Sequence, residues 1–290
     1  MSEEEERSHF GLWAIMKSPL VISCAINSSI PASSLKILSN KEIIAINQDS
    51  LGKQAQLVRR YTEEGYDIYL GELSDSRRVL ALMNWKNEQS TASIDLASLG
   101  IRSADARDVW AGQDIGSIQG LFSADLAMHQ LKIYVLSNFT LVDLPKSSGY
   151  YSSTDAETSG SALIAKCDAG QCLPVGSKIR FLSHQGTPAT VKGVYASSSG
   201  KKLLGIDFIN YDLAFDTAWF RGDNTRNMTI AVNDYLPKRW QFPISGCNWT
   251  KTGRLMVEVD GFVGGDNTVT FGVPDGSIWA PDLVGFEVFE

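Results

Sequence analysis

The sequence predicts a multidomain, mainly β protein in three parts: a short α/β segment, an antiparallel β-domain, and a β-sandwich of jelly-roll type. Three observations predict it. The hydrophobic period changes near residue 53, from the spacing of helices to the alternation of strands. A Ser/Gly/Thr-rich stretch without large aliphatic residues, 146–161, divides the β part. A chain of 290 residues suits about two or three domains.

Residues 2–18 are predicted to be a helix. Ser2 and Glu5 have the spacing of a capping box, and Glu3 to Glu6 favour the positive end of a helix dipole. Adjacent carboxylates on a helix do not converge on one point, so this charge run reads as a solvated helix start rather than an acid/base pair. Apolar residues on two faces (Phe10, Trp13 and Ala14; Leu12, Ile15 and Met16) call for two neighbours. Pro19 stops the helix. Leu20 to Ile26 is a continuous apolar run, as in a strand buried on both faces of a parallel sheet. A second helix starts at Pro31, with Leu35, Ile37, Leu38, Ile43, Ile44 and Ile46 as its core face. Helix, buried strand, helix is α/β grammar, and the 52 residues of this segment cannot bury such a strand by themselves. The segment is expected to pack in part on residues 53–145 and to leave apolar surface exposed.

Residues 53–145 read as strands at 66–70, 78–85, 92–96, 106–110 and 131–136, with turns at 64–65, 74–75 and 112–114. Beyond the 146–161 linker, short strands recur across residues 162–290, among them 228–232 and 255–259, at the spacing of a sandwich.

Composition narrows the function classes. The net charge of −7 argues against nucleic acid as a partner, because phosphate binding needs a basic face. The chain has no run of eighteen apolar residues, so no membrane span is expected. The acidic start is the opposite of a secretory leader. Cys167 and Cys172 enclose a turn-prone Asp-Ala-Gly-Gln, where a small local disulfide fits; it implies an oxidising compartment. Zinc is the weaker reading, since His9, His129 and His184 all lie far from this pair in sequence. Cys24 reads as a buried thiol. Asn27, Asn138, Asn227 and Asn248 each open an Asn-x-Ser/Thr sequon, which agrees with secretion.

Glu5-Glu6-Arg7-Ser8-His9-Phe10, Leu12-Trp13-Ala14, Lys17-Ser18-Pro19-Leu20 and Ile44 to Gly52 carry a likeness. Through them the first part resembles the glycoside hydrolase family 27 α-galactosidases (melibiases). The resemblance implies that residues 1–52 are the end of a (β/α)8 barrel and residues 53–145 the antiparallel β-domain that follows it. Asp155-Ala156-Glu157, Asn224 to Asn233, Phe242 to Gly246, Asp266 to Val269 and Ala280 to Leu283 resemble carbohydrate-binding module family 35. That second likeness implies a jelly roll over 162–290 and a galactose-containing oligo- or polysaccharide as partner.

The family uses two aspartates, about 5–5.5 Å apart in retaining enzymes, as nucleophile and acid/base. Both are expected upstream of Met1, so no residue of this chain is assigned a catalytic role, and the chain alone is expected to be inactive. The resemblance also places the secretory leader upstream and the protein outside the cell. A family aspartate that lines the sugar site corresponds to Ala25. No cofactor is implied for catalysis. Glu157 and Asp282 match positions that hold a structural calcium in family 35 modules, and carboxylates suit that ion; Val284 stands where a further aspartate is usual.

Sugars stack a C–H face on an aromatic ring while polar side chains read the hydroxyls. Trp13, Trp85 and Trp110 lie in apolar patterns and are expected in the core. Trp219, Trp240, Trp249 and Trp279 fall in polar, turn-rich stretches. Trp249, in the loop Gly246-Cys247-Asn248-Trp249, is the first candidate platform, with Trp219 and Trp279 beside it. Arg226 is the candidate hydroxyl reader, with a surface ion pair as the alternative. The competing functional class is a non-catalytic, lectin-like protein derived from a truncated α-galactosidase.

Overall fold

The computed structural model describes all residues except 28, 159, 184–187 and 214–223. The chain divides into two compact units, Met1–Arg59 with Glu64–Leu144, and Arg60–Glu63 with Pro145–Glu290. Both are built mainly of antiparallel sheets. Among the described residues no helix is long and apolar enough to cross a membrane.

The first unit opens with α1 (Glu3–Ile15), α2 (Ala32–Leu38) and α3 (Lys41–Asn47). The Ser2–Glu5 capping box closes in both directions: the Glu5 amide donates to Ser2 Oγ at 3.3 Å and the Ser2 amide to Glu5 Oε2 at 2.6 Å. The expected single second helix is two, because the Asn40 carboxamide accepts from the amides of Glu42 and Ile43 and starts a new helix. The strands are β1 (Gln56–Tyr61), β2 (Tyr66–Leu73), β3 (Arg77–Asn84), β4 (Ser90–Asp95), β5 (Ile101–Asp108), β6 (Gln113–Gln119), β7 (Leu121–Leu126) and β8 (Leu131–Leu141). They form a six-stranded sheet, β1-β2-β3-β8-β5-β6, and a β4–β7 pair. The residues around the expected turn at 112–114 lead directly into β6, and Phe122, Ala124 and Leu126 of β7 alternate inward.

The helices pack on this sheet. Phe10, Ala14, Ile15, Ile37, Ile43 and Ile46 share one core with Tyr69, Val79, Ala81, Leu131 and Ile133. Polar clamps fix the contact: Ser8 Oγ donates to the His129 carbonyl and accepts from the Leu131 amide, both at 2.7 Å, and Arg107 grips Glu42 at 2.7 and 2.8 Å. Burial works against ionisation of Asp49, yet the hydroxyl and amide of Ser74, the Leu51 amide and Lys17 hold its carboxyl below the ordinary range.

Several expectations fail in this unit. Leu20–Ile26 is not a strand; Val21, Ile22 and Ile26 are 79%, 43% and 64% exposed, and the Cys24 thiol is exposed too. An apolar run becomes a parallel strand only when strands on both sides accept its hydrogen bonds, and the β-ladders of this unit do not include it. Trp13 and Trp85 are 43% and 47% exposed rather than core. Trp85 instead donates its ring N–H to Asp67 at 2.8 Å.

The second unit contains β9 (Ser147–Ser152), β10 (Ala156–Glu157), β11 (Leu163–Lys166), β12 (Ser177–Arg180), β13 (Ala189–Ala196), β14 (Gly200–Ile209), β15 (Arg226–Val232), β16 (Lys238–Phe242), β17 (Gly253–Phe262), β18 (Gly265–Gly272) and β19 (Asp282–Phe289). One sheet runs β10-β13-β18-β15-β16 and the other β11-β12-β19-β14-β17, with β9 also paired to β19. The inner faces meet through ring contacts: Phe271 lies 5.2 Å from Phe286, and Phe208 lies 4.9 Å from Phe242. Trp240 is only 2% exposed and belongs to this core. Asn267 is buried with its carboxamide fully occupied, accepting from Val263 and Asn233 and donating to the carbonyls of Val194, Val263 and Gly265. Within the stretch expected to be a linker, residues 147–157 form β9, a 3-10 turn and β10, and β9 pairs along β19.

Candidate functional site

The candidate site is a cleft of about 590 Å³ in the second unit. β12 builds its floor. In a strand, residues two apart share a face, so Lys178 and Arg180 line the cleft while Ile179 enters the core and pairs with Leu283 of β19. That pairing brings Asp282, the first residue of β19, to within 2.7 Å of the Lys178 ammonium. Both side chains are about nine-tenths buried, at 8% and 10% exposed. Lys178 also donates to the Trp249 carbonyl. Burial pushes the Asp282 carboxyl up, against the pull of Lys178, Arg226 and Arg180.

Arg226 opens β15 and forms another wall. Its Nε donates to Asp212 at 3.0 Å and Nη1 to the Ala280 carbonyl at 3.1 Å, while Cζ sits 4.7 Å from the Trp249 ring centroid. Trp249 packs in turn against Cys172, Ile209 and Val284. The Cys167–Cys172 disulfide closes the remaining wall, and the Cys172 amide donates to the Thr250 carbonyl at 3.0 Å.

The cleft also has an open aromatic surface. Trp279 and Phe181 are 39% and 41% exposed, with ring centroids 6.1 Å apart in an edge-on arrangement. Arg180 lies 4.1 Å above Phe181. Phe181 has a φ of 61°, in the left-handed region that non-glycine residues seldom occupy.

Of the residues singled out in the sequence, Arg226, Trp249, Trp279 and Asp282 line this one cleft. Trp219 lies outside the described residues, as does His184. The ranking of the aromatics changes, because Arg226 covers a face of Trp249 whereas Trp279 is open. Phe181, Lys178 and Arg180 were missed as site residues; the only local signal was an aromatic after a basic residue at a strand end. The calcium expectation does not fit. Glu157 pairs with Lys192 at 2.8 and 2.9 Å, and Asp282 with Lys178. Glu157 and Asp282 belong to different sheets, and among the described residues no group of three or more His, Cys, Asp or Glu could hold a metal ion. Each carboxylate has gone to an ammonium instead of a shared cation.

The first unit contains a different cavity, an apolar groove of about 680 Å³ lined by Phe10, Trp13, Leu20, Val21, Ile22 and Leu38 among others. Its polar lining includes Glu6 and Ser34, whose hydroxyl donates to Glu6 Oε2 at 2.7 Å. Nearby, His9 rests edge-on against Trp13.

Two segments of the chain match known families. Residues 1–49 match the family described as alpha galactosidase A, and residues 63–136 match the alpha galactosidase C-terminal beta sandwich domain. These two matches support reading the chain as similar to a C-terminal part of the glycoside hydrolase family 27 α-galactosidases. A probable α-galactosidase D of Aspergillus oryzae is 31% identical over 99% of this chain and 60% of its own length. The corresponding Aspergillus terreus protein is 30% identical over 100% of this chain and 61% of its own length. The chain thus spans about three-fifths of the α-galactosidases it matches. A solved α-galactosidase from Bacteroides fragilis, described as putative, shares 30% identity over 48% of this chain and 30% of that one, at a TM-score of 0.44.

Proposed function

We propose that this chain is the C-terminal part of a secreted, retaining α-galactosidase, and that its second unit holds the enzyme on galactose-containing oligo- or polysaccharide. Residues 1–52 then correspond to the C-terminal end of a (β/α)8 barrel. Residues 53–145 are the β-domain that follows, and residues 162–290 a jelly-roll carbohydrate-binding module.

One observation carries the binding role. The cleft brings an open tryptophan, a second exposed ring and an arginine held by Asp212 and Ala280 to one place. Aromatic faces beside fixed, planar donors are what recognition of a sugar ring requires. The collinear match to fungal α-galactosidases across nearly the whole chain supports galactosides as the class.

The apolar groove beside Trp13 supports the barrel reading. Val21 and Ile22 line it from a run that has the composition of a buried strand. In a complete barrel, neighbouring strands and helices cover such a run. The catalytic aspartates belong to that remainder, so this chain alone is expected to leave an aryl α-galactoside intact. Secretion is supported by the disulfide and the four sequons.

Calorimetric titration of the 290-residue chain with galacto-oligosaccharides tests the binding role. Saturable heat that Trp279→Ala abolishes, in a variant with unchanged far-UV circular dichroism, is the expected result. No heat with any galactoside sinks the binding role; turnover of the aryl galactoside sinks the assignment of the catalytic groups to residues beyond this chain.

A further inference from the structure

The four sequons are not equivalent in the folded chain. Asn227 lies in β15 between β16 and β18, half-buried; its Nδ2 donates to Ser277 at 3.4 Å and its Oδ1 accepts from Arg239 at 3.0 Å. Asn138 commits its Nδ2 to Asp105 at 2.8 Å. The Asn27 sequon contains Ser28, which lies outside the described residues.

Asn27 is exposed and its Oδ1 accepts from the Ser29 amide at 2.9 Å and the Ser29 hydroxyl at 2.5 Å; Asn248 repeats that bonding in a sequon whose three residues are all described. Asn248 is exposed, on the loop between β16 and β17. Its Oδ1 accepts from the Thr250 amide at 2.9 Å and from the Thr250 hydroxyl at 2.7 Å. The carboxamide is therefore fixed by its oxygen, through the residue that completes the sequon. Its nitrogen has only a weak contact, 3.9 Å to the Cys247 sulfur. A substituent on Nδ2 leaves the oxygen free to keep both bonds, so the turn survives the modification. The loop is pinned from the other side, where the Cys172 amide donates to the Thr250 carbonyl.

We infer that Asn248 is an N-glycosylation site and that its glycan roots at the rim of the Trp249 cleft. The inference rests on the secretion proposed above. The co-reactant is a polyprenyl-diphosphate-linked oligosaccharide. Asn248 Nδ2 forms a bond to the anomeric carbon and gives up one proton, and the polyprenyl diphosphate departs with the electron pair of the broken C–O bond. A bulky, hydrated glycan belongs on such a surface loop. Rooted one residue from Trp249, it stands beside the cleft without displacing any of the side chains that line it.

The test is to pass the full chain through the secretory pathway of a eukaryotic host and map its peptides. Deglycosylation by an amidase in heavy-oxygen water marks each formerly occupied asparagine as labelled aspartate. The expected result is label at Asn248, loss of that glycan in Asn248→Gln and in Thr250→Ala, its retention in Thr250→Ser, and no label at Asn227. The inference is overturned if the Asn248 peptide is unmodified in chains whose Cys167 and Cys172 are joined, since the disulfide certifies passage through an oxidising lumen. The forced route isolates the site from the secretion reading, which is checked separately by looking for the native protein in its host's culture medium.

Discussion

Two stretches of this chain behave contrary to their composition. Residues 20–26 are almost continuously apolar, yet they form no strand and leave Val21 79% exposed. Residues 147–152, Ser-Ser-Gly-Tyr-Tyr-Ser, are the kind of sequence expected in a linker, yet they form β9. The difference lies in what each stretch finds beside it. β9 meets the open edge of β19, pairing Ser152 with Gly285, Tyr151 with Phe286 and Tyr150 with Glu287. Tyr151 then stacks on Phe286 at 5.3 Å and accepts from the Tyr195 amide, while Tyr150 donates to buried Asp207 at 3.0 Å. The apolar run joins neither edge strand, β1 or β6, of the six-stranded sheet in its unit. Strand formation follows the availability of hydrogen-bond partners more closely than hydrophobicity.

The largest effect that tests this contrast is in the sandwich core. Phe271→Ala removes a ring that touches Phe286, the residue under Tyr151, and is expected to cost about 3–5 kcal/mol in denaturant unfolding. Gly285→Ala attacks the β9–β19 pairing itself. A Cβ there would stand 2.5 Å from the Tyr150 hydroxyl and 2.6 Å from the Tyr151 carbonyl. Because one of those neighbours is backbone, β9 must move, at an expected cost of about 1–3 kcal/mol and with amide exchange of residues 149–152 accelerated. An unchanged exchange pattern would break the claim that pairing holds β9.

Val21→Ser probes the opposite case and is expected to change stability by less than about 0.5 kcal/mol, since the side chain is already in water. A large loss would mean that the run is packed after all. The smallest effect concerns α1. The Ser2 amide and His129 hold the Glu5 carboxyl down at about 2. A folded value below the ordinary 4.5 means that the group's contribution is full above 4.5 and fades as pH falls through about 2. A carbon-detected titration of Glu5 should show that low midpoint, and His129→Ala, which removes the ring hydrogen bond to the carboxylate, should raise it.

Much of the fold was legible before any coordinates. Ser2 and Glu5 announced the first helix, alternation announced strands such as 228–232 and 255–259, and the short Cys167–Cys172 spacing announced a bridge. These are local properties, set by residues within a few positions of each other. The site was legible only in outline. Arg226, Trp249, Trp279 and Asp282 were each visible as candidates, but nothing local said that Arg226 would lie on Trp249 or that Lys178 would claim Asp282. Trp240 and Trp249, nine residues apart in similarly polar surroundings, differ because one side of β16 faces the opposing sheet.

The sequence by itself therefore determined which residues must be covered, where helices start and where the chain can bridge: periodicity, capping and spacing act over one or two turns. Only the tertiary structure decided which edges are open, which rings stay in water and which cation each carboxylate takes. Those outcomes depend on neighbours tens to more than a hundred residues away, as Ile179 with Leu283 and Tyr151 with Phe286 illustrate, and no local pattern encodes the pairing that brings them together.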